Sequence, residues 1–423
     1  MNEVFPVGFW GTQSIDDVPL SDVAEWKACG MTLTISPHYT PTPERKEKML
    51  ALLDECHKHG ICLILSDGRA TWHGAATDPE GYRARVAEAI ADFGSHPAVF
   101  GFHLGDEPGK NSFADIEAAV PIHRELAPHL TPYLNHFPLS PGVLTLWECN
   151  SYEEWIHDIL PRFQLPLISF DNYTPMNPFE DGEGVDRYYN CLRYYSEAAR
   201  NMNVPLWSIV LSVGHFRYRC PNEDDIRWQL YTSVMHGAKG IIWFYYRMTR
   251  SHINYRNAPV NELGEKTETW TWLSRQLRLF HKTYGPLMMR LTHQGSWHLK
   301  RAYGGWPQWS YKAIPRVWDF ISDHKLHGVI SSFTDAEGNE YVAILNNDQE
   351  KSGMFRLVFS RTVKRLWRVC FGGVEHDVAT DHWDAIYTVK ETPEKKYIVA
   401  GTWLAPGQME IYRMETDDQE KKN

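Results

Sequence analysis

No run of about 20 consecutive apolar residues occurs in the chain, so no membrane-spanning helix is expected. The opening stretch "MNEVFPVGFWGTQ" has neither a basic flank nor a long apolar centre, so no secretory signal is expected. Positive charge is in the minority. With 43 Lys and Arg against 53 Asp and Glu, the net charge is −10, which argues against nucleic acid or an anionic membrane as partner. Cysteine is sparse and scattered, at positions 29, 56, 62, 149, 191, 220 and 370, with no CxxC pair and no Cys/His cluster of zinc spacing. That excludes a disulfide framework as the organising device and gives no metal site, so a cytoplasmic protein with reduced thiols and no cofactor is expected. No glycine-rich phosphate loop follows a strand, which weighs against a dinucleotide-binding doubly wound sheet. Internal repeats and low-complexity segments are absent as well.

What is present is a regular alternation. Eight short apolar runs recur in the first 250 residues: "VFPVGFW", "MTLTISPHY", "CLILSDGRA", "AVFGFHLGDEP", "LTPYLNHFP", "LPLISFDNYTP", "VPLWSIVLSVGHF" and "AKGIIWFYYR". Between them lie stretches of helical period such as "PERKEKMLALLDECHKHG" and "PEGYRARVAEAIADFG", whose closing glycines read as helix caps. Eight strand–helix alternations predict an α/β fold, a (β/α)8 TIM barrel. The predicted last barrel helix is 267–285, which places the barrel at 1–290. Residues 291–325, rich in Trp, Gly and Pro, read as a connecting segment. From 326 to 415 short alternating strands with the turn "AEGNE" predict a small antiparallel β-sandwich. The charged end "ETDDQEKKN" reads as a tail from 416 to 423.

Chemistry in such barrels sits at the C-terminal ends of the strands. Those ends hold His38; Asp67 and Arg69; His103, Asp106 and Glu107; Asn135; Asp171 and Tyr173; and Trp243 and Tyr245. Acids crowded with histidines and aromatics suit glycoside hydrolysis. That reaction needs a carboxylic acid to protonate the leaving oxygen and a second group to stabilise a cationic sugar carbon. Glu107, at the end of strand 4, is the candidate acid. The competing reading of "GDEPG" is a helix start, with Asp106 as cap and Pro108 in the first turn. Aromatic content is 13%, and rings with a polar edge suit sugar faces, although most must be core.

The layout is similar to barrel glycosidases that carry their acid/base Glu at the end of strand 4, often as Asn-Glu-Pro, and a nucleophilic Glu at the end of strand 7. Here Asp106 replaces the Asn, and strand 7, "LWSIVLSVGHF", has no carboxylate. "HLGDE" (103–107) resembles instead the strand-4 motif of the β-N-acetylhexosaminidases of glycoside hydrolase families 20 and 123. That resemblance implies substrate-assisted catalysis. Glu107 would be the acid/base, Asp106 would hold the 2-acetamido group, and the substrate would supply its own nucleophile. The implied substrate is a terminal β-linked N-acetylhexosamine, with N-acetylgalactosamine favoured by the "DEP" form.

The remaining candidates are weighed against blander roles. Tyr173 or Tyr245 steers the acetamido group or is core. Asp171 binds sugar or caps the turn "DNYTP". Trp243 forms the floor under the sugar or part of the barrel wall. Asn135, Asp67, Arg69 and His38 bind hydroxyls or are structural. Two alternatives stay open. One is an exo-β-glycosidase of galactosidase or glucosidase type using Glu107 with Asp171. The other is a non-catalytic carbohydrate-binding barrel. An oligomer is compatible with everything in the sequence.

Overall fold

The computed structural model describes residues 4–11, 13–179, 183–248, 254–380, 385–392 and 395–416. They fall into two compact units. One comprises 6–221 and 238–277, and the other comprises residues up to 5, 222–237 and 278 onward.

The first unit is the barrel. Its strands are β1 (Val7–Phe9), β2 (Leu33–Ile35), β3 (Cys62–Leu65), β4 (Val99–Asp106), β5 (Thr131–His136), β6 (Ile168–Asp171), β7 (Leu206–Leu211) and β8 (Ala238–Phe244). All pair in parallel, in the order β1-β8-β7-β6-β5-β4-β3-β2. The ring closes between β1 and β2, where Thr32 N–H donates to the Val7 carbonyl (2.8 Å) and Phe9 N–H to Thr34 Oγ1 (3.3 Å). Gly8 is required at this seam, because a Cβ there would lie 2.1 Å from the Leu33 carbonyl oxygen. Helices α1 (Asp22–Cys29), α2 (Pro43–His59), α3 (Pro79–Phe93) and α4 (Phe113–Leu126) follow the first four strands. After β5 come the short pieces α5 (Pro141–Trp147) and α6 (Tyr152–Glu154), then α7 (Glu183–Met202) after β6. The start of α2 shows why these segments are helical: Thr42 caps the Arg45 N–H, Pro43 occupies the first turn, and Gly60 closes the helix in the left-handed region. The barrel interior is packed with side chains, as such barrels are. Ile35, Ile64, Tyr133, Trp207, Ile209 and Ile242 form one buried cluster, with Trp10, Tyr173 and Phe244 partly exposed above it.

The second unit holds α8 (Glu223–Met235), α10 (Gly285–Arg290) and the end of α9 (Glu268–Thr283). Its strands are β9 (Thr292–Leu299), β10 (Val317–Ser322), β11 (Gly328–Thr334), β12 (Glu340–Asn346), β13 (Gly353–Phe359), β14 (Val363–Val369), β15 (Glu375–Asp377), β16 (Ala385–Thr392), β17 (Lys395–Leu404) and β18 (Met409–Thr416). They make two antiparallel sheets, β10-β13-β17-β16 and β15-β14-β18-β12-β11-β9. Phe320, Phe355 and Phe359 of the first share a core with Ile330, Val342 and Tyr412 of the second, which is the expected sandwich. One expectation needs amendment. Residues 291–325 are not an irregular connector, because they carry β9, paired to β11, and β10, paired to β13. The Trp- and Gly-rich text of this stretch hid the alternation that would have marked the strands.

Candidate active site

Three carboxylic acids converge at the C-terminal ends of β4 and β6. β4 reaches this point through a break in its register against β5, between His103 and Gly105. Gly105 has φ 154°, and a Cβ on it would lie 2.1 Å from the Trp72 ring, so only glycine fits beneath that indole. Trp72 is fixed in turn by its backbone N–H, which donates to the Leu104 carbonyl (3.1 Å). Two residues on, Glu107 lies in the left-handed region at φ 46°, unusual for a side chain with a Cβ and costing on the order of 1 kcal/mol or more. Its N–H donates to the Asn135 carbonyl (3.0 Å), and the following Pro108 carbonyl accepts from the buried Trp147 indole N–H (3.1 Å). The chain is therefore pinned on both sides of the strained residue. The pair is the bulged end of a strand, and η-type turn and helix begin only after it, at Lys110.

Asn135 organises the acids. Its Nδ2 donates to Asp106 Oδ1 (2.9 Å) and to Asp171 Oδ1 (3.0 Å). Its Oδ1 accepts from Ser169 Oγ (3.3 Å), which is bonded to the Tyr133 hydroxyl (2.8 Å). Tyr133, Ser169 and Asn135 are all buried, so the chain of bonds is shielded from competing water. The third acid, Asp171, is buried and electrostatically coupled to the Glu107 carboxyl. Asp106 remains open to solvent.

Electrostatics follow from this crowding. Glu107 is pushed up to about 7, first by burial and then by the neighbouring Asp106 charge, while its contact with Asp171 pulls the other way. Asp171 is raised well above the carboxylate range by burial and by the charges of Glu107 and Asp106. Asp106 keeps an open face, but the protein crowded around its carboxyl strips enough water to raise it, opposed by the bonds from Asn135 and the Glu107 backbone. Carboxyls coupled this strongly titrate jointly, and both Glu107 and Asp171 are shifted toward the protonated form.

The other candidates divide. Tyr173 stands beside the three acids, whose charges add to burial in raising its hydroxyl, and its ring stacks on Phe244 (5.4 Å, 27°). Trp243 has no exposed surface. Strand alternation explains this: Ile242 and Phe244 face the barrel interior, so Trp243 between them faces away, and Phe244 is the strand-8 ring at the mouth. Tyr245 is buried with Met176, Leu211, Val213, Met248 and Ala258. Asp67 is buried and bonded to Arg69 (2.8 Å), which also pairs with Asp92 of α3 (2.8 Å), itself bonded to Lys46 of α2 (2.5 Å). This network ties the β3 loop to two helices. His38 is exposed, with Nδ1 on Ser66 Oγ (2.9 Å). His103 is buried edge-on to Trp10 (5.2 Å), and burial brings it down to about 4, so it is neutral. Sequence reading missed Ser169, Phe244 and Trp10. Period-2 counting along β6 and β8 would have placed Ser169 on the Asp171 face and Phe244 at the mouth.

Among the described residues no group of three or more His, Cys, Asp and Glu is arranged to hold a metal ion. No described helix is long and apolar enough to cross a membrane.

Fold and site together define a (β/α)8 barrel with an acidic mouth and a β-sandwich. No protein-family profile matches the chain, and none of the curated proteins matches it. Solved structures do match. A β-galactosidase from the psychrophilic Marinomonas ef1 aligns with TM-score 0.52 and 13% identity, over 69% of this chain and 62% of its own length. A family 39 glycoside hydrolase from the gut symbiont Bacteroides cellulosilyticus aligns over 98% of this chain and 82% of its own, with TM-score 0.52 and 11% identity. A family 5 glycoside hydrolase from Bacteroides vulgatus aligns over 99% and 94%, with TM-score 0.51 and 12% identity. At these identities the likeness concerns the fold. None of the three is a family 20 or 123 enzyme, so the hexosaminidase resemblance rests on the strand-4 motif alone.

Proposed function

We propose that the chain is a glycoside hydrolase that cleaves terminal β-linked N-acetylhexosamine, with N-acetylgalactosamine preferred, by substrate-assisted catalysis with retention. The observation that carries this reading is the placement of the acids. β7 ends at Leu211 and is followed by Ser212 and His215 with no carboxylate, while Asp106 and Glu107 sit side by side near Asp171. Asp171 is buried and held by Asn135 (3.0 Å), and its carboxyl is raised well above the ordinary range, which disfavours it as an ionised nucleophile.

In this reading the acetamido oxygen attacks the anomeric carbon as Glu107 passes its proton to the leaving oxygen. Asp106 accepts the acetamido N–H and offsets the positive charge forming on the oxazoline. Glu107 then takes a proton from water, which opens the oxazoline at the same carbon. Asp171 and Asn135 hold the two acids in position. Hydrolysis of 4-nitrophenyl β-N-acetylgalactosaminide and glucosaminide, with competitive inhibition by the matching bicyclic thiazoline, is the expected result. Equal turnover of the plain β-galactoside and β-glucoside, with no effect of the thiazoline, would sink the reading. No turnover of any of these glycosides by the wild type would favour a binding barrel.

A further inference from the structure

The loop after β7 holds one side chain in a conformation that it does not adopt on its own account. His215 N–H donates to the Tyr218 carbonyl (3.2 Å) and Tyr218 N–H to the His215 carbonyl (2.8 Å), so Phe216 and Arg217 form the tip of a two-residue hairpin. Phe216 stands there at φ 47°, in the left-handed region that such turns usually give to glycine, asparagine or aspartate. The loop after β8 clamps it. Asn254 Nδ2 donates to the Phe216 carbonyl (2.6 Å), and Arg256 Nη2 donates to the Tyr218 carbonyl (3.0 Å). Gly214 and Arg256 exchange backbone bonds at the foot of the hairpin (2.9 and 2.8 Å). The phenyl ring gains little burial in return, for Phe216 is 59% exposed. A single exposed apolar side chain is ordinary on a surface. One that is also strained, and clamped in that state, fits the way backbone strain is kept at binding sites.

The ring ends a row that starts beside the acids. Tyr173, next to Asp106, Glu107 and Asp171, stacks on Phe244. His215 lies against both, with ring centres 5.8 and 5.2 Å away. Tyr255 stacks on His215 (5.4 Å, 10°). Phe216 packs against His215 (5.2 Å, 54°) and Tyr255 (6.1 Å, 51°). Both of these contacts are tilted, so neither neighbour stacks on the phenyl face. The hairpin follows β7 and so stands at the C-terminal end of the barrel, the end that carries the acids. A substrate whose terminal sugar reaches the acids must extend the rest of itself out past this rim.

We propose that Phe216 is a binding platform for the leaving group, with the sugar ring beyond the scissile bond laying its C–H face on the exposed phenyl. A phenyl ring has no polar edge, so it selects for a ring and not for a pattern of hydroxyls. The proposal rests on the glycoside hydrolase reading given above. The test uses two N-acetylhexosaminides: the β-linked disaccharide with galactose, and the trifluoroethyl glycoside, whose leaving group has no ring. Phe216→Ala should raise KM for the disaccharide roughly five- to tenfold and leave KM for the trifluoroethyl glycoside within about twofold. Phe216→Trp should restore the disaccharide KM. Phe216→Gly should bind the disaccharide as poorly as Phe216→Ala yet melt higher, because glycine alone is free of the strain. The proposal is overturned by an equal rise on both substrates, by no rise on either, by no recovery in Phe216→Trp, or by Phe216→Gly melting below Phe216→Ala. If the wild type instead prefers plain β-galactosides, the N-acetyl reading fails alone, and the same comparison on plain glycosides decides the role of Phe216. No turnover of any glycoside by the wild type would overturn both.

Discussion

Asn135 bonds Asp106 and Asp171 with the same amide nitrogen at the barrel mouth, and Glu107 lies close enough to Asp171 for their charges to couple. One amide thus fixes two acids, and the third is set beside them by its own N–H bond to the Asn135 carbonyl. The arrangement separates the acids by environment: Asp171 is pushed well toward its protonated form, Asp106 keeps an open face, and Glu107 between them is raised to about 7.

That separation sets the pH profile. Glu107 is raised to about 7, so it is protonated below that value and loses its proton as pH rises through it. Turnover that needs Glu107 as acid should therefore fall on the alkaline side with an apparent pKa near 7. The Asp106 charge is one cause of the rise. Asp106→Asn should move the alkaline limb of the residual activity to lower pH. A limb that stays in place or moves up would exclude Asp106 as a perturber of Glu107.

Replacing the acids should separate their roles through the leaving group. Glu107→Gln removes the proton donor, so turnover of a poor leaving group such as an alkyl alcohol should drop by about 10³-fold or more, within the range of general acid catalysis and beyond. An activated aryl leaving group should suffer far less. Asp106→Asn should cost both substrates alike, because the acetamido attack is needed for either. Similar losses on both substrates for Glu107→Gln would remove it from the acid role.

The large-scale organisation was legible in the sequence because parallel strands covered on both faces read as unbroken apolar runs, as in "CLIL" and "LWSIVL". Helix ends were legible through local chemistry, Thr42 and Gly60 being examples. The site was legible only in part. Asp106, Glu107, Asn135 and Asp171 were found because strand ends can be counted. Their mutual bonds could not be, because they depend on a β4 register break that Gly105 permits and no periodicity announces. Of the two roles weighed for Trp243, strand alternation leaves the barrel wall. The segment carrying β9 and β10 read as loop because its strands are short of the usual apolar–polar rhythm.

The buried acid should make the protein less stable at high pH than it need be. Asp171 is raised in the folded state, so its contribution is fully present below the ordinary carboxylate pKa and is lost as pH rises through the folded value. Asp171→Asn keeps the shape and removes the charge. Its melting temperature relative to wild type should therefore improve steadily from pH 5 to pH 8, by a few degrees at the upper end. A difference that is flat with pH, in thermal scans run at both values, would mean that Asp171 does not titrate differently in the folded state.

Asp67 and Arg69 stood among the candidate sugar contacts, and the structure gives them partners in the β3 loop and helices α2 and α3. Breaking a buried ion pair from one side costs about 3–5 kcal/mol where the other charge is left uncompensated, and Arg69 keeps its pair with Asp92, so the cost here should fall below that range. Asp67→Asn should therefore lower the melting temperature while leaving KM for an aryl glycoside within about twofold, since no uniform binding contact is lost. A large rise in KM without loss of stability would return these residues to the ligand site.

Gly105 should be the least replaceable residue near the site. Adding a methyl group places it 2.1 Å from the Trp72 ring at a φ of 154°, so the bulge and the indole cannot both stay. Overpacking of this kind costs about 1–3 kcal/mol, and the backbone strain adds to it. Gly105→Ala should lower both stability and kcat, because the bulge it disturbs aims Asp106 and Glu107. Adding Trp72→Ala removes the clash but not the unfavourable φ. The double variant should thus regain part of the stability lost by Gly105→Ala while kcat stays low. Stability effects that simply add, measured by chemical denaturation of all four proteins, would show that the indole and the glycine are not coupled.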